Sequence, residues 1–429
     1  MTPVLVSEPE YSIEDGWHIA SASISMNDKT YQLKFKVSEG PLAENSDPFL
    51  SAALFPAMKV GQPLHVSGPV SPKLLEATQT MQDVYHKWFP EFQKILIQAD
   101  PWLSNRNSPT GEVGAFFSGG VDSFYTLLRH NDEITKLILI NGIMFEDPSQ
   151  RPKITKEIQR VAQELGKSLI VVEVNIREFS DQYTYWEDQY AGVAMASVGL
   201  LLSPQFKRIY FASSFPYEDW KPTAIHPLLE PLFSTETLTF EIDGSEVGRP
   251  EKVVRIAQSD LALSALRACS KEYSHNCGQC EKCMRTMLAL QAVGGLERCK
   301  TFPQRIDPEA VSRIKLDELR DIYAKENLRA LENGGSNPVL AEALRFCINI
   351  YKHKKMATIL NEDWGNLVSS EQWAQFVQGK KNMLFQSLWQ IDSGWLLKEV
   401  FKEKLKDFDQ KLLFGILRKM YGVAKGKGQ

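Results

Sequence analysis

Apolar residues change their period along this chain. Between Trp17 and Val37 they alternate: Ala20, Ala22, Ile24 and Met26 share one face, and beyond Asn27-Asp28 so do Tyr31, Leu33, Phe35 and Val37. Period-two alternation on both sides of a turn pair predicts a β-hairpin, and residues 1–75 as a whole read as β. A Pro- and Gly-rich stretch follows (Gly61, Pro63, Gly68, Pro69, Pro72), residues 73–98 read as a helix, and Asp100 to Thr110 as a polar linker.

From 111 to about 303 short apolar runs alternate with helical patterns. Val113–Phe117, Leu137–Asn141, Leu169–Val174 and Arg208–Ala212 are the strand candidates. Between the second and third, Ile158, Val161, Ala162 and Leu165 form an apolar helix stripe closed by Gly166. Uniformly apolar strands separated by helices imply a parallel sheet covered on both faces, with ligands beyond the carboxyl ends of its strands. From 304 onward only helical patterns occur. The clearest is Leu397, Val400, Phe401, Leu405, Phe408 and Leu412, and Asn333-Gly334-Gly335 reads as a break between helices. The expected architecture is α/β in three parts: an N-terminal β-rich domain over 1–110, a Rossmann-like domain over 111–303 and a C-terminal α-helical domain over 304–429.

Chemistry concentrates where the first apolar run of the central part ends in Ser118-Gly119-Gly120-Val121-Asp122-Ser123. A strand, a glycine turn and a helix N-terminus point a row of backbone N–H groups, backed by the helix dipole, at an anion. Ser118 and Ser123 add hydroxyls. Asp122 would repel a bare phosphate and so suggests a bridging Mg²⁺. The segment is not a Walker loop, because no Lys follows the glycines. Asn141 and Gly142, ending the second strand, are placed to meet a nucleoside.

A second cluster reads C-x7-C-x2-C-x2-C at Cys269, Cys277, Cys280 and Cys283. Four soft sulfur donors at this spacing suit a tetrahedral, closed and therefore structural Zn²⁺ site, with Fe–S ligation as the alternative. Lys282 and Arg285 stand near enough in sequence to offset thiolate charge. His275 is a possible competing ligand. Cys299 and Cys347 fall outside the spacing.

Composition narrows the rest. With 43% hydrophobic and 24% charged residues the chain is ordinary for a globular protein, and a formal charge of −4 gives no global pull on nucleic acid. Residues 400–429 are locally basic, with eight Lys/Arg against three Asp/Glu. No basic leader precedes an apolar stretch near Met1–Glu10, and no run is long enough to span a membrane. The expected location is the cytoplasm, with reduced thiols. Weaker candidates are Glu218 and Asp219 for a purine-like edge or an amine, and His226 as a base. The aromatics Tyr183, Tyr185, Trp186 and Tyr190 suit stacking or core packing, and Lys153 and Arg249 are read as loop cations within reach of a phosphate or an acyl-adenylate, with a solvated role as the default.

Ser118–Ser123 resembles the S-G-G-x-D-S pyrophosphate loop of the N-type ATP pyrophosphatases (the PP-loop superfamily). Its pairing with a downstream C…C-G-x-C-x-x-C set is similar to the 7-cyano-7-deazaguanine synthase branch. The resemblance covers about 111–303 and implies an adenine nucleotide α-hydrolase-like sheet. It implies ATP, Mg²⁺ and Zn²⁺ as cofactors. Ser118, Gly119, Gly120, Val121, Asp122, Ser123 and Asn141 would bind the nucleotide, Asp122 and Ser123 would be catalytic, and the four cysteines would hold zinc. It further implies activation of a deazapurine-like acid by ATP and its capture by ammonia or another amine. Ser213-Ser214-Phe215-Pro216-Tyr217-Glu218-Asp219-Trp220 stands where that branch carries a Gly-Tyr-Pro-Asp-Cys-Arg type sequence, and the Cys-Arg pair is missing. The added flanking segments are similar to those of synthase-like proteins in anti-phage operons, where a partner protein can be the acceptor. A tRNA-modifying PP-loop enzyme and a non-catalytic ATP-binding assembly protein are the alternatives.

Overall fold

The computed structural model describes residues 2–102, 111–143, 148–269, 276–334 and 337–363. Its strands are β1 (Val4–Val6), β2 (Glu10–Glu14), β3 (Trp17–Met26), β4 (Lys29–Val37), β5 (Leu64–Val70), β6 (Ile97–Pro101), β7 (Glu112–Phe116), β8 (Lys136–Asn141), β9 (Ser168–Val174), β10 (Phe206–Ala212) and β11 (Thr239–Asp243). Its helices are α1 (Asp47–Val60), α2 (Pro72–Trp88), α3 (Val121–Arg129), α4 (Arg151–Glu164), α5 (Ile176–Ser180), α6 (Ala191–Leu201), α7 (Arg249–Ile256), α8 (Asp260–Ala265), α9 (Glu281–Ala292), α10 (Pro308–Ser312), α11 (Glu318–Gly334) and α12 (Pro338–Asp363). Two compact units divide the chain, Met1–Lys352 and His353–Gln429, and the site lies in the first. The amphipathic stretch Leu397–Leu412 lies outside the described residues.

The alternating segment forms the β3–β4 hairpin. Met26 pairs with Lys29, and Asn27 and Asp28 both take positive φ (51° and 60°), the pair of angles a two-residue I′ turn requires. The uniformly apolar runs form a parallel block, β11-β10-β7-β8-β9.

The two sets of strands are not separate sheets. All eleven share one mixed sheet in the order β11-β10-β7-β8-β9-β4-β3-β1-β5-β6, with β2 against β3. The join is antiparallel, β4 on β9, where Phe35, Lys36 and Val37 face Val174, Glu173 and Val172. Lys36 opposite Glu173 places unlike charges across the strands. This corrects the expected break near 110, because the hairpin extends the parallel block instead of building a sheet of its own.

Because side chains alternate along a strand, the sheet sorts its residues into two cores. Ile138 and Ile140 of β8 enter one, with Phe116, Ile170 and Val172 and the inward sides of α1, α2 and α6. Leu137 and Leu139 enter the other, with Ala115, Leu169 and Val171 and with α3, α4, α7, α8 and α9. A third cluster unites Met284 and Leu288 of α9 with Val311, Ala324, Leu331, Leu340 and Leu344 of α10–α12. The expected boundary at 303/304 is therefore bridged by a common apolar core.

Other differences have local causes. The helix expected over 73–98 stops at Trp88, and Ile97–Pro101 is a strand. The Pro/Gly-rich stretch contains β5, whose parallel partners β1 and β6 tolerate Gly68 and Pro69 at a register shift. Helix α1 has no polar face for periodicity to reveal, since Asp47–Met58 is buried throughout. No described helix is long and apolar enough to cross a membrane.

Candidate functional site

The glycine turn falls at the carboxyl end of β7, in the middle of the parallel block, and α3 starts at Val121. Gly119 takes a left-handed φ of 75°, with Ile158 of α4 and the Arg267 side chain close above its Cα. Gly120 is an ordinary extended residue (φ −80°), so only the first glycine meets a conformational demand. The segment 265–267 straps the turn: Arg267 N–H donates to the Gly119 carbonyl at 2.8 Å. Among the described contacts the first-turn amides of Val121, Asp122 and Ser123 donate to no backbone carbonyl, as at any helix N-terminus.

The two serines face inward. Ser123 Oγ donates to the Gly120 carbonyl at 3.1 Å, and Ser118 Oγ accepts from Gly120 N–H at 3.3 Å. The hydroxyls lie 3.4 Å apart, so in this state they shape the turn. At the neighbouring strand end Asn141 is 1% exposed and its Oδ1 has no hydrogen-bond partner. A buried amide oxygen left unsatisfied costs about 1–3 kcal/mol, a debt that a donor from a ligand would remove.

Asp122 is the charged centre. Arg249 Nη1 donates to one carboxylate oxygen at 3.1 Å, and Lys252 Nζ donates to the other at 3.3 Å. Both cations come from α7 and both are buried. Burial opposes ionisation of Asp122, but Lys252, Arg249 and Arg285 together outweigh it and hold the carboxyl below its ordinary range. Lys252 also donates to the Ser213 carbonyl at 2.6 Å, tying in the loop after β10. Arg249 Nε is buried and unpartnered. Arg249 is thus a buried partner of Asp122, not a solvated loop cation. The Arg285 guanidinium stacks 4.1 Å above the Tyr323 ring and pairs with Glu281. Sequence reasoning missed Lys252 and Tyr323.

The loop Ser213–Trp220 sits beside this cluster. Phe215 stacks on Tyr323 with ring centroids 5.8 Å apart, and Trp220 meets His226 at 4.5 Å. Glu218 is exposed, and Asp219 is raised by burial and by Glu218. His226 lies between Trp88 and Trp220, and burial pushes its imidazole down to about 4, which makes it a poor base at neutral pH. Tyr190 is core, donating to the Ala52 carbonyl at 2.6 Å, and Trp186 lies under Arg177. Tyr183 meets Tyr31, and Tyr185 is exposed.

Beneath His226, Glu230 is fully buried and desolvation lifts its carboxyl to about 8. Its folded pKa exceeds the unfolded one, so its contribution to stability is complete below about pH 4.3 and declines as pH rises to about 8. Glu230→Gln should therefore raise the thermal midpoint at pH 9 and change it little at pH 5. Equal shifts at both pH values would contradict a neutral buried acid.

The cysteines converge as their spacing predicts. The Sγ atoms of Cys269, Cys277, Cys280 and Cys283 all lie within 4.8 Å of one another, with Cys269–Cys280 and Cys277–Cys283 both at 3.9 Å. None is in a disulfide. Four such thiols can hold a metal ion such as zinc. The amides of Gln279 and Cys280 point at Cys277 Sγ (3.4 and 3.3 Å), a turn made possible by Gly278 at φ 68°. A Cβ on Gly278 would also come within 2.6 Å of Pro303. Cys280 caps α9, and a hydrogen bond from Cys283 brings its thiol down to about 4. Asn276 clamps the base of the loop: its Oδ1 accepts from the amides of Ala268 and Cys269, and its Nδ2 donates to the carbonyls of Leu266 and Thr301. His275 lies outside the described residues. Cys299 and Cys347 are buried and outside the cluster.

No family model, curated protein or solved structure matches this chain.

Proposed function

We propose that the chain is an ATP-dependent, AMP- and pyrophosphate-forming ligase of the PP-loop type. The observation that carries this reading is the amide row of Val121–Ser123 at the carboxyl end of a central parallel strand. That is where an open α/β sheet places its ligand and where a helix N-terminus favours polyanions.

The surrounding residues fit a nucleoside triphosphate. Loop amides and the α3 dipole would meet phosphate oxygens, and the buried Asn141 Oδ1 would take a donor from the nucleoside. Asp122, held ionised, is a suitable Mg²⁺ ligand. Arg249 and Lys252, now neutralised by Asp122, supply positive charge once that carboxylate binds a cation. Mg²⁺ would neutralise charge on the departing pyrophosphate. The protein's share is electrostatic and positional: a carboxylate oxygen displaces pyrophosphate from the α-phosphorus, and an amine then displaces AMP. No protein nucleophile is needed.

The acid we favour is deazapurine-like, of the 7-carboxy-7-deazaguanine type, captured by ammonia or by an amine on a partner protein. Phe215 stacks on Tyr323, both buried, and the half-buried Trp220, tilted against Phe215, is the ring of this group that would meet a flat heterocycle. In this reading the enzyme works in the cytoplasm and the cysteines hold zinc. Incubation with ATP, Mg²⁺ and 7-carboxy-7-deazaguanine, with and without ammonium, should yield AMP, pyrophosphate and a new base by mass spectrometry. AMP without a deazaguanine product redirects the search to other acids. Absence of AMP with every acid tried refutes the ligase.

A further inference from the structure

A cleft of about 900 Å³ opens between α4 and the segments 264–269 and 300–301, next to the strap on Gly119. Its charge is opposite to that of the whole chain. Among the described residues, Lys153, Lys156, Arg160, Arg267 and Lys300 line it against one carboxylate, Glu157, in a protein of formal charge −4. Arg160 is already engaged by Glu157 and Glu164. The positive field we use is that of Lys153, Lys156 and Lys300, all three exposed. Lys153 is thus a helical residue of α4 facing a cleft, not a loop cation.

We propose that this cleft receives a short acidic peptide segment of a partner protein. Three features of the lining select a peptide. No aromatic ring lines the cleft among the described residues, whereas single-stranded nucleic acid is gripped largely by base stacking on aromatics. Gln159 and Gln163 lie one turn apart on the same wall, and side-chain amides match the donor and acceptor of a peptide group. The floor is apolar, from Ile154, Ala265 and Leu266, and accommodates the methylenes of Glu side chains. The α4 wall from Lys153 to Gln163 spans roughly 15 Å, the length of about four or five extended residues. Cys269 lines the opposite wall, so the metal cluster braces one side of the cleft. The proposal does not depend on adenylation.

The test uses the full chain with its metal and a fluorescein-labelled peptide of five glutamates flanked by glycines, followed by anisotropy. Binding is expected with Kd of roughly 1–100 µM at low salt, weakening as salt screens the lysines. Reversing Lys153, Lys156 and Lys300 together to Glu should weaken it at least tenfold, while Lys94→Glu, paired with Asp83 elsewhere on the surface, should not. These side chains are exposed, and an unchanged melting curve confirms that the triple variant is folded. No binding, equal binding to the reversed variant, or tighter binding of a labelled oligothymidylate would overturn the proposal.

Discussion

Asp122→Asn should lower the rate of AMP formation from ATP by roughly 10²–10³, the loss seen when one preorganised electrostatic partner is removed from a reacting phosphate or oxyanion. The substitution keeps the shape and removes the charge. It also leaves Arg249 and Lys252 buried without their anion, and breaking such a pair costs about 3–5 kcal/mol. Activity could therefore fall through instability alone, and a second variant separates the two effects. Lys252→Met in the Asp122→Asn background removes one stranded cation and should recover part of the lost thermal midpoint without recovering turnover. The pH dependence has a definite sign. The folded-state pKa of Asp122 is depressed, so the carboxylate stabilises the fold above the ordinary carboxylate pKa of about 3.9, and that contribution is lost as pH falls through the lower folded value. Asp122→Asn should accordingly flatten the acid limb of stability below about pH 4. Turnover at the parent rate in a folded Asp122→Asn protein would sink the ligase reading.

The parts of this site that the sequence made legible are contiguous, and the parts that escaped are not. Ser118–Ser123 and Cys269–Cys283 are local motifs whose spacing alone constrains chemistry. Arg249 and Lys252 reach Asp122 across 127 and 130 residues. Nothing near them marks them as ion-pair partners, and a lone cation in sequence reads as solvated. The same distinction runs through the fold. Strands buried on both faces, such as β8 and β9, announce themselves as apolar runs. By contrast, β11 reads Thr-Phe-Glu-Ile-Asp, with too little apolar character to stand out, and exists because it pairs with β10 in register from Arg208–Thr239 to Ala212–Asp243. Helix α1 was invisible for the opposite reason: a segment buried all round, with Pro48 and Pro56, has neither stripe nor favourable propensity. The β4–β9 junction is wholly tertiary. Phe35 and Val37 present the alternation of a hairpin whether their outer neighbour is water or β9, so local pattern could not show that the N-terminal strands enlarge the parallel sheet.

Removal of the metal should produce the largest structural effect. A tetrahedral site with Zn–S bonds of about 2.3 Å places its sulfurs about 3.8 Å apart. The Cys269–Cys280 and Cys277–Cys283 separations, both 3.9 Å, are near that edge length, and all four sulfurs lie within 4.8 Å of one another. Four thiols held so closely would repel one another once ionised, and a bound cation would offset that repulsion. The ion would join the strap on Gly119, the Asn276 clamp and the start of α9, and α9 contributes Cys283 and Met287 to the core under the parallel sheet and Met284 and Leu288 to the cluster with α10–α12. Cys283→Ser should abolish stoichiometric metal and lower the thermal midpoint by roughly 5 °C, as expected for a loss of about 4 kcal/mol in a unit of this size. Chelation of the parent protein should do the same. Cys347→Ser is the control: Cys347 Sγ donates only to the Ile314 carbonyl at 3.1 Å, a bond a hydroxyl can also make, so metal content and melting should stay near those of the parent. Elemental analysis distinguishes zinc from iron, and visible charge-transfer absorption with iron and sulfide would replace zinc by a cluster. A Cys283→Ser protein that keeps its metal and its melting point would show that these four thiols are not the ligands.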